Sequence, residues 1–327
     1  MRTAVLSLDP ATYTSHAVHG EDRSWTESNC YVDLWVETVH GMGLDPVAAM
    51  AFTLALDFEG DQWTFFKFPL EDLYRLYGFE VKEMNVWRPL AGHIDEQLRM
   101  GRLMVVEVDS YFLPDTAGVS YQLEHTKTSI AIQAIDLVAR RMGYFHGRGY
   151  YVVEGDDFDG LLRVGQPAVW PAALPPYVEM VRLDVHPPLT EPALTAEVLQ
   201  LTRFHVSRRP ADNPVERFRV RFLADIEWLR SQDLQVFHGY AFGTLRQLGS
   251  CSEMSATFLR WLADRGQPGL AAAIAGAETI SRTAKVMQFK MARAVNGKKP
   301  VDFAPMLDEI SAAWLTVSSA LQYQFGS

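Results

Sequence analysis

Seven of the seventeen prolines fall between Gln166 and Pro192, in the stretch QPAVWPAALPPYVEMVRLDVHPPLTEP. Proline fixes φ and removes a backbone donor, which excludes regular helix and interior strand there. The segment 166–192 is therefore expected to be a linker or wrapping arm, with at most one short strand at Val178–Leu183. It separates an expected domain at 1–165 from another at 193–327, and 327 residues are enough for two cores.

The two regions differ in pattern. In NCYVDLWVETVH, Val32, Trp35, Val36 and Val39 share one helical face. A second, shorter helix is expected over Pro46–Leu56, and a third over Leu70–Tyr77, closed by Gly78. Strands are expected at Trp63–Phe68, Leu103–Val108, Ser129–Ile135, Met142–Phe145 and Tyr150–Val153. The second region reads as helices throughout: Leu194–Val206, Pro214–Ser231, Leu234–Leu248, Ser252–Asp264, Gly269–Val295 and Phe303–Gln324. Phe218, Phe222, Ile226 and Leu229 have the spacing of a bundle helix. The expected fold class is α+β, an N-terminal domain with an antiparallel sheet followed by an all-α bundle.

Composition excludes several functions. A formal net charge of −10 argues against a nucleic-acid binder, because phosphate neutralisation needs clustered Lys and Arg. No apolar run reaches the roughly 18–20 residues of a membrane helix, and acidic residues break the N-terminal stretch as a signal peptide. The expected compartment is the cytoplasm, with Cys30 and Cys251 as reduced thiols. No metal site is expected: the nine histidines include no HExxH and there is no CxxC. His16 and His19 form a weak His-x-x-His pair, and GRG at 147–149 lacks phosphate-loop spacing.

Cys30 is the candidate nucleophile. Ser28 and Asn29 are natural cap residues, so the thiol falls in the first helical turn, where unpaired N–H groups and the dipole favour an anion. The same groups could hold a developing oxyanion. The competing reading is a small buried hydrophobe. His125 follows on the approach to a strand, which is the chain order of papain-like enzymes: a thiol on a helix, an imidazole on the sheet, then an orienting residue. For that third residue Asp136, Asp109 and His146 all stand as candidates. Asn29 is either a donor to the oxyanion or simply the helix cap. Asp109, Tyr111 and Asp115 lie on the loop leading to His125 and are candidates for binding a polar substrate. Asp57 and Asp61, in DFEGDQWTFFK, are candidates for meeting a substrate amine. Cys251, at the start of an amphipathic helix, reads as structural, and Ser281, Lys285 and Gln288 as an exposed polar stripe.

Taken together, NCYVDLWVE, DFEGDQWTFFKFP, EVDSYFLPDTAG, HTKTSIAIQAID and GYFHGRGYYVVEGDDF resemble a bacterial family known only as a domain of unknown function. Members often accompany small amino-acid:carrier-protein ligases, which are similar to truncated seryl-tRNA synthetases, and their carrier proteins. A more distant resemblance is to the acyltransferase of butirosin biosynthesis, with a papain-like N-terminal domain. It is carried by Asn29–Cys30 before a helix, by Asp109-x-Tyr111-x-x-Pro114 and by His125. That resemblance implies Cys30 as acyl acceptor and His125 as base. Where an aspartate would follow on the next strand, Tyr144, Phe145 and His146 stand instead. No glutamine precedes Cys30 at the usual oxyanion position of papain-like peptidases; Ser24 and Trp25 occupy that stretch.

The expected function is an aminoacyl transferase that takes its acyl group from a carrier-protein phosphopantetheine thioester and passes it through Cys30 to an amine. Phosphopantetheine belongs to the carrier partner, and no cofactor is expected on the chain itself. A cysteine hydrolase, peptidase or amidase, is the enzymatic alternative. A non-catalytic partner that binds the loaded carrier is the alternative of a different class.

Overall fold

The computed structural model describes residues 2–165, 174–297 and 301–326. The chain divides into two compact units. One comprises Met1–Gly20, Asn29–Pro46 and Phe68–Leu189; the other comprises Glu21–Ser28, Val47–Lys67 and Thr190–Ser327. The chain thus leaves the first unit twice before the proline-rich segment.

The first unit is α+β. Its elements are β1 (Thr3–Ala4), α1 (Cys30–Gly41), α2 (Leu70–Tyr77), β2 (Glu80–Glu83), α3 (Leu90–Arg99), β3 (Leu103–Asp109), β4 (Lys127–Asp136), β5 (Arg141–His146), β6 (Gly149–Glu154), α4 (Gly155–Leu162) and β7 (Val178–Arg182). The strands form one sheet in the order β2-β7-β3-β4-β5-β6, with β1 beside β4, and each pairing is antiparallel. On one face Met104, Val106, Ile130, Ile132 and Tyr144 pack with Ile94 and Leu98 of α3 and Phe158 and Leu161 of α4. Each such side chain contributes about 1.5–3 kcal/mol by leaving water. On the other face lies α1, against β4, β5 and β6. Both faces of β3 are covered, and Leu103–Val106 accordingly reads as an unbroken apolar run.

The proline-rich segment corrects one expectation. Residues 166–173 lie outside the described residues, but β7 is an interior strand, bonded to β2 on one side and β3 on the other. The reason is local. VEMVR contains no proline, and Pro175, Pro176, Pro187 and Pro188 flank the ladder without entering it.

Three further features fix this unit. A register shift in β4 between Ile132 and Ala134 marks a bulge at Gln133, whose backbone and side-chain oxygens accept from Val5 N and Leu6 N. Gly78 closes α2 at φ 71°, and a Cβ there would fall 2.0 Å from the His186 carbonyl oxygen. Residues Tyr31 to Val39 of α1 are buried on every side, Asp33 and Glu37 included.

The second unit contains α5 (Ala193–Ser207), α6 (Pro214–Leu229), α7 (Leu234–Ala241), α8 (Gln247–Asp264), α9 (Ala271–Gly297) and α10 (Ala304–Phe325). α9 packs on α8 and α10, and α10 also meets α5 and α6. Phe58, Trp63, Phe218 and Trp314 form an aromatic cluster at its centre. Trp63–Phe68 is not a strand; Trp63 makes an isolated bridge to Phe58. Pro46–Ala55 coils as 3-10 helix rather than α-helix. The helices expected at Leu234–Leu248 and Ser252–Asp264 run together through a π turn at Phe242–Arg246. Gly249 does not break them, because it is the residue that lets the Trp25 ring approach; a Cβ would lie 2.3 Å from it. Among the described residues, no helix is long and apolar enough to cross a membrane.

Candidate functional site

Cys30 is the first residue of α1, and Asn29 is its cap. Asn29 is extended (φ −143°, ψ 156°), and its Oδ1 accepts from Val32 N at 3.0 Å. The cap uses the side-chain oxygen of Asn29. Cys30 is half-buried, with Sγ 4.0 Å from Ser129 Oγ on β4.

The pleat of β4 then sorts the other candidates. Lys127, Ser129 and Ala131 face α1, whereas Thr128, Ile130 and Ile132 face the α3 and α4 side. Asp109 is the cross-strand partner of Lys127. Its Oδ1 accepts from Tyr111 N at 3.1 Å, and its Oδ2 accepts from His125 Nδ1 at 2.6 Å. The His125 ring stacks on Tyr111 with centroids 4.4 Å apart and 15° between planes. Its side chain is 70% exposed, and Nε2 has no hydrogen-bond partner among the described residues. The pair opens into a groove of about 330 Å³ lined by Glu107, Asp109, His125, Lys127, Arg163 and Tyr177, among others. Lys127 also pairs with Glu107 at 2.8 Å.

His125 and Cys30 are not in contact. Ser129 is the fourth residue after His125, roughly 13 Å along an extended chain. The fold therefore brings Asp109 to His125, and sets the thiol two rungs further along the sheet.

The other two orienting candidates are placed elsewhere. Asp136 ends β4, nine residues after Lys127, and its Oδ1 accepts from Val138 N and Ala139 N in the hairpin turn at 3.0 Å each. About 30 Å of strand lies between it and His125, so it cannot orient that ring. His146 is on the face away from α1. Its Nδ1 donates to Asp115 Oδ2 at 2.5 Å and its Nε2 meets Thr128 Oγ1 at 2.9 Å. Asp115, a candidate for binding substrate, packs against this ring with its side chain buried and accepts from the Tyr144 hydroxyl at 2.6 Å. Burial, then the Asp115 charge, pushes the Tyr144 hydroxyl well above its usual range.

Asp57 and Asp61 belong to the second unit. Asp57 is taken by Arg217 at 2.6 Å and caps Phe58 N at 2.7 Å, while Asp61 is exposed. Cys251 is fully buried, its sulfur 3.4 Å from the Thr53 carbonyl, and burial pushes its thiol up. Ser281 is buried too, contrary to an exposed stripe. A side chain of its type at i−4 from Lys285 sits inside the helix packing of α9.

The sequence pairs His19 with His16 as a weak motif, but the structure gives His19 other partners. His19, on a 3-10 turn, bonds through Nδ1 to Glu37 and through Nε2 to Asp33 at 3.4 Å, both one face of α1. Tyr13 donates to Glu37 Oε2 at 2.5 Å and His16 N to Oε1 at 3.0 Å. Desolvation pulls the imidazole down, but the bonds and charges of Asp33 and Glu37 outweigh it and raise His19 to about 9. On the other side of the helix Tyr31 donates to Glu179 of β7 at 2.9 Å. These links fix the helix whose first residue is Cys30. The available signal was a pair of carboxylates four residues apart inside an otherwise apolar helix.

The DUF1839 N-terminal domain matches residues 14–183, and the DUF1839 C-terminal domain matches residues 191–323. The chain belongs to the DUF1839 family. Its two domains meet between residues 183 and 191, where β7 has ended and α5 has not begun. Among curated proteins none matches the chain. Within this DUF1839 protein, the described residues contain no group of three or more His, Cys, Asp or Glu able to hold a metal ion.

Proposed function

We propose that this protein is an aminoacyl transferase that uses a carrier-protein thioester as donor. The observation that supports the reading is the Asp109–His125 pair, its imidazole largely exposed, on the sheet face that also meets Cys30 at the start of α1. The thiol of Cys30 exchanges with the phosphopantetheine thioester. A new C–S bond forms to Cys30, the old C–S bond breaks, and the phosphopantetheine leaves as a thiol carrying the proton that Cys30 gave up. The acceptor amine then attacks the Cys30 thioester: a C–N bond forms, the C–S bond to Cys30 breaks and Cys30 leaves as the thiolate, while His125 takes the amine proton and Asp109 stabilises the imidazolium. Thioesters are activated donors, so a thiol nucleophile and a base for the amine suffice.

The separation between thiol and imidazole favours a second reading. In it the amine, deprotonated by His125, attacks the carrier thioester directly, the C–S bond breaks to release the phosphopantetheine thiol, and Cys30 forms no acyl adduct.

In both readings His125→Ala slows amine acylation by roughly 10²–10⁴-fold, the usual loss for a general base. Asp109→Asn lowers the rate by a smaller factor. The check is product formation followed by mass spectrometry with a carrier-bound aminoacyl thioester and a primary amine. Unchanged rates in both variants would remove the dyad from the mechanism.

A further inference from the structure

From Ser281 to Lys299 the sequence holds Arg282, Lys285, Lys290, Arg293, Lys298 and Lys299 and no Asp or Glu, within a chain of net charge −10. Lys298 and Lys299 lie outside the described residues. The rest are on α9, where successive residues turn by about 100°. Arg282, Val286, Phe289 and Arg293 therefore point the same way, with Lys285 and Lys290 at the flanks. The opposite side, Ala284, Met287, Met291 and Ala294, is fully buried. On the outward side Phe289 is 61% and Val286 43% exposed. Arg282 leans toward Glu309 of α10 at 3.6 Å, and Lys285 lies 4.1 Å over the Trp25 ring. Lys290 and Arg293 have no ion-pair partner among the described residues. Burial, then the like charge of Arg246, holds Lys285 below the usual lysine range.

An exposed aromatic ring beside two cations without an ion-pair partner among the described residues fits a surface of opposite charge with a small apolar centre. Two apolar side chains are too few for insertion into a bilayer. A chain this acidic opposes a polynucleotide. We propose that the outward face of α9 docks an acidic protein partner that presents a carboxylate-lined helix; resting on the acyl-transfer reading above, that partner is the carrier protein. Electrostatic docking of this kind acts on encounter and affinity rather than on the chemical step.

The test uses the full chain, a phosphopantetheinylated acyl carrier protein and the variants Lys290→Glu/Arg293→Glu and Phe289→Ala. Each variant weakens carrier binding in fluorescence anisotropy at least tenfold, and the charge reversal also flattens its salt dependence. Transfer from a small pantetheine thioester is unchanged. If the wild type transfers from neither thioester, the acyl-transfer reading fails, while the binding data still decide the docking face. Carrier affinity equal to wild type in both variants overturns the proposal. So does a charge reversal that abolishes binding to phosphatidylglycerol vesicles or single-stranded DNA, or dissociates a dimer of this chain, without weakening carrier binding.

Discussion

Replacing Cys30 with alanine is expected to lower acyl transfer roughly a thousandfold or more while leaving the fold intact. Loss of a covalent nucleophile removes the acyl-enzyme route altogether, and what remains comes from binding and general-base help. The structural cost is small. The sulfur is half-buried and its polar contact is a 4.0 Å approach to Ser129, so the change in stability stays within about 1 kcal/mol. Cys251→Ala supplies the control. That thiol is fully buried among the helices of the second unit, so its removal costs stability and leaves transfer in place. Transfer rates and circular dichroism of the two variants check both halves. Wild-type rates with Cys30→Ala would leave the direct route through His125 as the mechanism.

Stability is expected to fall as pH rises through about 9, because His19 is held protonated between Asp33 and Glu37. Its folded-state value is raised from 6.5, so the contribution is fully present below about pH 6.5 and is lost as the ring deprotonates near 9. A shift of that size corresponds to about 3 kcal/mol. Urea unfolding at pH 6 and pH 10 measures it, and His19→Gln removes the pH dependence in this window at a cost of about 3–5 kcal/mol, since it leaves buried carboxylates without their cation. Tyr13, His16 and His40 surround the same cluster, and burial followed by His40 pulls His16 down, so His16 does not share the titration near 9. A wild-type stability that stays level or rises between pH 6.5 and 9 would contradict the assignment.

The local elements were legible wherever one short stretch carries its own reason to form. Ser28-Asn29-Cys30 announces a cap, Gly78 a left-handed stop, and LMVVEV a strand covered on both sides. The failures have tertiary causes. VEMVR is interior because β2 and β3 both need its donors, and the flanking prolines conceal that. Gly249, a breaker by propensity, stays helical because Trp25 packs on it. α3 was missed because Gly92, His93 and Asp95 dilute its apolar face, although Ile94 and Leu98 bury completely. Asp109 was legible near His125, sixteen residues apart, one ending β3 and the other just before β4, but the choice among Asp109, Asp136 and His146 depended on strand register. Which face of β4 each side chain takes is a period-2 question, and one residue of shift reverses it. Asp109, bonded to His125, shares the face of Ser129, so distance along the sheet rather than the pleat sets the imidazole apart from the thiol.

The most direct measurement is the intact mass of the protein after mixing with an aminoacyl-loaded carrier protein, without acceptor amine. Transfer through Cys30 gives a mass increase of one aminoacyl group that maps to Cys30, is lost in Cys30→Ala, and is discharged when an amine is added. A wild-type protein that transfers the group to the amine and never carries it on Cys30 would contradict the account.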